Sequence, residues 1–277
     1  MASLTYSKWR LTTASPADGL PAATIRERQL QTLASYITQS APPLPAPVIP
    51  PSPPVAGYVA WWDASKITGV SDGATLSSWA DSSGNGNNLT VGTGSPTYYK
   101  TTPAKIINGL PVVNFLSPGQ YFTSNSAAFN VGNPYTWIFI MQCDSVPTAS
   151  NQVPWTTNQG TPAINIIGGT PAQMKMIAGL TPPVVGNVDA NLHYWGFVFN
   201  SGSSIGQLDG TQTTGLNPGT QSPLSVGGYT TTYIPDSFST AFNFLGRVCE
   251  IIFYASALTT TQLNSLRAYA QTKWGTP

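Results

Sequence analysis

The sequence predicts an all-β fold, a sandwich or jelly roll with a C-terminal helix, preceded by a short N-terminal helical segment and a Pro-rich linker. Three observations predict it. From Val55 onward, short apolar runs are separated by clusters of Gly, Pro, Asn and Ser, the pattern of short strands joined by tight turns. Helical periodicity is confined to residues 24–38 and to the stretch after Leu258. Charged residues make up only 8% of the 277, against 41% hydrophobic and 11% aromatic. That charged share is about a third of the average, so neutral polar residues must cover the surface, as suits β proteins that meet glycans or other subunits. A formal net charge of +1 leaves no electrostatic footprint for nucleic acid. No run nears the roughly 18 apolar residues of a membrane helix.

Taken in order, residues 1–20 are mixed and polar, with Trp9 and Leu11 as apolar anchors. Thr24 and Glu27 have the spacing of a capping box and open a helix over 24–38. Ile25, Leu30, Leu33, Ala34 and Ile37 supply its apolar residues, the last four at i, i+3, i+4 and i+7. A helix this short is marginal alone. The stripe therefore packs on its own domain, or it docks and oligomerises. Residues 41–54 are a polyproline II spacer, reaching roughly 40 Å at about 3.1 Å per residue. Tyr58–Asp63 reads as the first strand of a domain spanning 55–277, and the nearly all-apolar Trp137–Gln142 as a strand in the middle of a sheet. His193–Asn200, Ile205–Leu208 and Thr211–Thr214 follow as strands joined by Ser201–Ser204 and by Asp209-Gly210. Leu224–Tyr229 and Gly246–Tyr254 complete the set. In the last, Val248, Glu250, Ile252 and Tyr254 fall on one face and Cys249, Ile251 and Phe253 on the other. Thr259 and Gln262 then form a capping box, with Leu258 and Leu263 as a hydrophobic staple. Leu263, Leu266, Ala270 and Trp274 line one side of this helix, and Gly275 stops it.

The most distinctive stretch is Trp79–Asn88, Trp-Ala-Asp-Ser-Ser-Gly-Asn-Gly-Asn-Asn. Gly84, Asn85, Gly86 and Asn87 tolerate positive φ, and Asp81 with its neighbouring serines can bond local backbone, so a tight self-bonded loop is expected after Trp79. With Asn108–Phe115 and the block Phe244–Gly275, this stretch resembles the concanavalin A-like, laminin-G-type jelly-roll domains of bacterial surface proteins and phage virion proteins. The resemblance implies a jelly roll, a short strand at Tyr98 and Tyr99, and a structural role for Glu250. It specifies no function, because that fold carries lectins, hydrolases and spacers alike.

The acids show no pair on one strand of the kind glycosidases use, since Glu250 stands alone in its strand. His193, the only histidine, opens a strand and reads as structural. Two Cys and one His cannot build a Cys/His metal centre. Cytoplasmic synthesis favours free thiols for Cys143 and Cys249. Calcium through Asp81, Asn85 and Asn87, or through Asp209, is less favoured than a loop satisfying its own backbone, so no cofactor is expected. Glycan binding is the surviving site hypothesis, carried by aromatics in loops. The candidates are Trp155 with Asn158 and Gln159, Tyr229, and Tyr233 with Asp236. Together with an N-terminus lacking the apolar region of a secretory signal, these features lead to one expectation. The chain is a non-enzymatic phage virion protein, a capsid decoration or head fibre, attached to other virion proteins through residues 1–54. It oligomerises in the particle, contacts neither nucleic acid nor membrane, and presents its jelly roll to surface glycans. The alternatives are a tail-fibre adhesin, a bacterial surface or secreted carbohydrate-binding module, and, less favoured, a polysaccharide hydrolase or lyase.

Overall fold

The structure is a computed structural model. It describes residues 51–157, 161–223, 232–235 and 244–277, all within one of the chain's two units, Val48–Pro277. The helix expected over 24–38, with Ile25, Leu30, Leu33 and Ile37, and the strand expected at 224–229 lie outside the described residues. In chain order the strands are β1 (Ala60–Asp63), β2 (Ser78–Trp79), β3 (Leu89–Thr93), β4 (Thr97–Tyr99), β5 (Val112–Phe115) and β6 (Tyr121–Ser124). There follow β7 (Tyr135–Cys143), β8 (Gln152–Thr157), β9 (Ala163–Ile167), β10 (Ala172–Ile177) and β11 (Val184–Val188). The last are β12 (Leu192–Phe199), β13 (Ser204–Leu208), β14 (Thr211–Leu216), β15 (Thr232–Ile234) and β16 (Gly246–Tyr254), before the helix α1 (Thr260–Trp274).

These strands make two antiparallel sheets. The first runs β14-β13-β12-β7-β16-β5-β4, with β1 also paired to β16. The second runs β11-β10-β9-β8-β15-β6-β3-β2. Their inner faces meet through aromatic rings, Trp137 on Trp155 at 4.9 Å and Phe115 on Phe122 at 6.0 Å. β7 and β16 are buried along nearly their whole length because the other sheet covers one face and α1 approaches the other. Among the described residues the architecture is a β-sandwich with a C-terminal helix.

The alternation expected in β16 fails at one point. Val248 pairs with Met141 and Glu250 with Ile140, so the register shift at Cys249 puts Val248 and Glu250 on opposite faces. The helix follows its sequence signals: Thr259 and Gln262 form the reciprocal cap, and Gly275 ends it at φ 76°. Cys143 and Cys249 are buried and unpaired. Among the described residues no helix is long and apolar enough to cross a membrane.

Candidate functional site

The second sheet presents a polar outer face built by simple alternation. Phe122 and Ile234 stand opposite each other and are buried against the core. Their chain neighbours Tyr121, Thr123 and Tyr233 therefore point the other way. Registered partners continue that face across the strands: Ser78 opposite Thr90, Thr90 opposite Thr123, Thr123 opposite Tyr233, and Tyr233 opposite Thr156. Every side chain in this row carries a hydroxyl, and none is charged. Ser78 and Thr90 are exposed, Thr123 and Tyr233 half-buried, and Thr156 buried.

Beside the row, Tyr121 and Tyr233 meet edge to face, with centroids 5.7 Å apart and planes at 71°. The attitude of Tyr121 is set by Gly92. A methyl group at Gly92 would sit 1.9 Å from Cε2 and 2.4 Å from Cζ of Tyr121, so the ring lies directly on the glycine. The register shift between Val91 and Thr93 falls at this glycine, and Thr93 Oγ1 is 3.5 Å from the Tyr121 hydroxyl. An aromatic ring flat on a sheet, with hydroxyls around it, offers an apolar face and a polar rim to a ligand of the same mixed character.

Of the residues singled out from sequence, Tyr233 belongs to this surface. Trp155 does not: it lies inside β8, is 0% exposed, and contacts Trp137, Tyr135 and Phe199. It is a core residue, and the expectation that it stacks a sugar from a loop is corrected. Asn158, Gln159, Tyr229 and Asp236 lie outside the described residues. Tyr121 was missed, although Tyr-Phe-Thr-Ser at 121–124 alternates about a buried Phe122.

The Asp81 loop is closed on itself. The Asp81 carboxylate accepts from the backbone N–H groups of Trp61, Ser83 and Asn87 and from the Ser83 hydroxyl, at 2.7–3.0 Å. Asn85 and Asn87 donate to the Val59 carbonyl, while Gly84 and Gly86 take φ of 86° and 76°. Trp79 is buried beneath. These oxygens are committed to protein donors. Among the described residues no group of three or more His, Cys, Asp or Glu is placed to hold a metal ion.

Two further clusters gather the remaining titratable groups. Lys273 Nζ donates to Asp63 Oδ2 at 2.6 Å and to Glu250 Oε2 at 3.0 Å, and Glu250 also accepts from Trp274 Nε1 and the Tyr269 hydroxyl. Burial holds the Glu250 carboxyl above its ordinary value, against the pull of Lys273. Asp63, Glu250 and Lys273 are at most 2% exposed, so this cluster ties α1 to the first sheet and meets no ligand. His193 bridges two carboxylates, Nδ1 to Asp209 Oδ2 at 2.7 Å and Nε2 to Asp189 Oδ1 at 2.9 Å. Burial alone would lower its pKa, but the hydrogen bonds to Asp209 and Asp189 outweigh it and the net direction is upward. The nearby cleft, lined by His193, Asp189, Trp195, Met141 and Cys143, has room for about one water molecule. Burial pushes the Cys143 thiol up to about 12, far from a thiolate.

No protein-family model and no curated protein matches the chain. Solved structures do. Trypanosoma rangeli sialidase in complex with sialic acid aligns with TM-score 0.57 at 14% identity, over 92% of this chain and 40% of the sialidase. Domain 4 of AbnA, a GH43 extracellular arabinanase from Geobacillus stearothermophilus, in complex with arabinotriose, aligns with TM-score 0.56 at 14% identity, over 76% of this chain and 98% of that domain. The chain thus spans about 40% of the sialidase's length. These likenesses are of fold, and they correct two expectations. The two structures are a glycoside hydrolase and a domain of another, and neither is a phage virion subunit. The assignment as a capsid decoration or head fibre, and the expectation that the chain is not an enzyme, are withdrawn on that finding.

Proposed function

We propose that the chain is part of a carbohydrate-active protein, and that its sandwich, a concanavalin A-like jelly roll, recognises the glycan through the surface formed by Tyr121 and Tyr233. The observation that carries this reading is the aromatic pair beside an uncharged row whose exposed members, Ser78 and Thr90, carry hydroxyls. Sugar rings have apolar C–H faces and hydroxyl edges, and this surface is their complement. The two neighbours described above, in complexes with sialic acid and arabinotriose, support the class of ligand. Between those two chemistries the face favours the neutral one, since no cation stands in the row from Ser78 to Tyr233 to meet a sugar carboxylate.

The test is isothermal titration of the full chain with arabinotriose, arabinan and xylan, alongside sialyllactose. Tyr121→Ala and Tyr233→Ala are expected to weaken binding of the neutral ligand about tenfold, the equivalent of about 1.4 kcal/mol. Their unfolding midpoints should stay close to that of the parent. Undiminished binding in both variants sinks the proposal.

A further inference from the structure

We infer that the glycan taken by this surface is an extended stretch of neutral oligosaccharide lying across the strands, not a single terminal sugar. The inference rests on the carbohydrate reading above and adds its length and direction.

The outer-face row supplies the argument. Ser78, Thr90, Thr123 and Tyr233 stand on four adjacent strands in direct register. Three intervals of about 4.8 Å separate the first from the last by about 14 Å, the span of about three units of an extended oligosaccharide. Ser78 and Thr90 carry hydroxyls on neighbouring exposed positions and Tyr233 carries another at the far end, so the two ends of the line are polar, while the Thr123 hydroxyl between them is buried. Both ends of the row are defined. At Ser78 the row reaches β2, the last strand of its sheet, and Ser78 is exposed, so a longer chain passes over the edge. Beyond Tyr233 the next partners, Thr156 and Ala163, are buried, and the row stops. Tyr121 lies two residues along β6 from Thr123, pressed on Gly92, where a stacking ring contacts a sugar already held by Thr90. A pocket for one terminal sugar needs walls, and the described residues of this face instead offer a line.

The experiment titrates the full chain with arabino-oligosaccharides and xylo-oligosaccharides of one to six units. Affinity in the bound series is expected to climb with each added unit up to about three, the span of the row, and then to level. Ser78→Ala and Thr90→Val, both at exposed positions, should each lower trisaccharide affinity severalfold, and Ser78→Ala, at the end of the row, should lower it more than it lowers monosaccharide affinity. A monosaccharide that binds as tightly as the trisaccharide overturns the inference, as does unchanged trisaccharide binding in both variants. Those results leave the carbohydrate reading standing if Tyr121→Ala still weakens binding about tenfold. If the parent chain binds neither series, or Tyr121→Ala and Tyr233→Ala both bind like the parent, the carbohydrate reading falls and the inference with it.

Discussion

A methyl group added at Gly92 would meet the Tyr121 ring at 1.9 Å, so in Gly92→Ala either the ring rotates off the sheet or the strand moves. The variant should lose about 1–3 kcal/mol of stability, the ordinary cost of overpacking. It should also lose about tenfold in oligosaccharide affinity, because the stacking face is no longer level; urea unfolding and titration check the two separately. Tyr121→Phe keeps the ring and should bind nearly as well as the parent. Trp155 makes the opposite case. Trp155→Ala removes a fully buried indole packed against three other rings and should cost about 3–5 kcal/mol, with surviving folded protein binding sugar normally. The sequence hid this role behind Pro154, which argues against a strand. The structure places that proline where the pairing of β8 with β9 shifts between Gln152 and Trp155, an irregularity of the kind where a missing N–H is tolerated.

Among elements, α1 was the most legible and still held a surprise. Its cap, staple and terminal glycine are local signals, and the helix forms between them as they dictate. Lys273 stands in the last turn, where a lysine ordinarily complements the helix dipole from solvent. It is instead 2% exposed and held by Asp63 and Glu250. No local pattern announces that, because the partners lie 210 and 23 residues away in sequence. Lys273→Met keeps most of the side-chain volume but leaves two buried carboxylates without their cation. Such a break costs about 3–5 kcal/mol, so thermal unfolding should show a large drop; a variant as stable as the parent would mean that the indole and hydroxyl donors around Glu250 suffice. The sheets divide in the same way. β7, β12 and β16 are long, apolar and legible. The second sheet was largely missed, because its strands are short, rich in Thr, Gln and Asn, and interrupted by Pro154, Gly92 and Gly186. Even so, β10 alternates in plain sight as Ala-Gln-Met-Lys-Met-Ile, buried and half-buried by turns.

At the scale of the whole molecule, the fold joins distant turns through His193, and this makes stability depend on pH in a definite way. Asp189 comes from the turn after β11, Asp209 from the turn between β13 and β14, and the imidazole of β12 holds both. Because the folded pKa of His193 is raised above 6.5, the folded state binds its proton more tightly than the unfolded chain does. That stabilisation is fully present below pH 6.5 and is lost as pH rises through the folded value. Asp189 behaves inversely. Burial works to raise its carboxyl, but the Asn191 N–H and His193 outweigh burial and hold it below 3.8. Asp72, which accepts from Thr102, Lys100 and Thr101, is likewise depressed. Their contribution is present above 3.8 and fades as pH falls through the folded values. The melting temperature should therefore be highest between pH 3.8 and pH 6.5, and decline on both sides. His193→Gln separates the two limbs, since an amide can still bond one aspartate but takes up no proton. The variant should melt lower than the parent at pH 5.5 and decline less than the parent as pH rises past 6.5, so that the two curves converge above neutrality. An alkaline decline that persists unchanged in His193→Gln would assign that limb to groups other than this bridge.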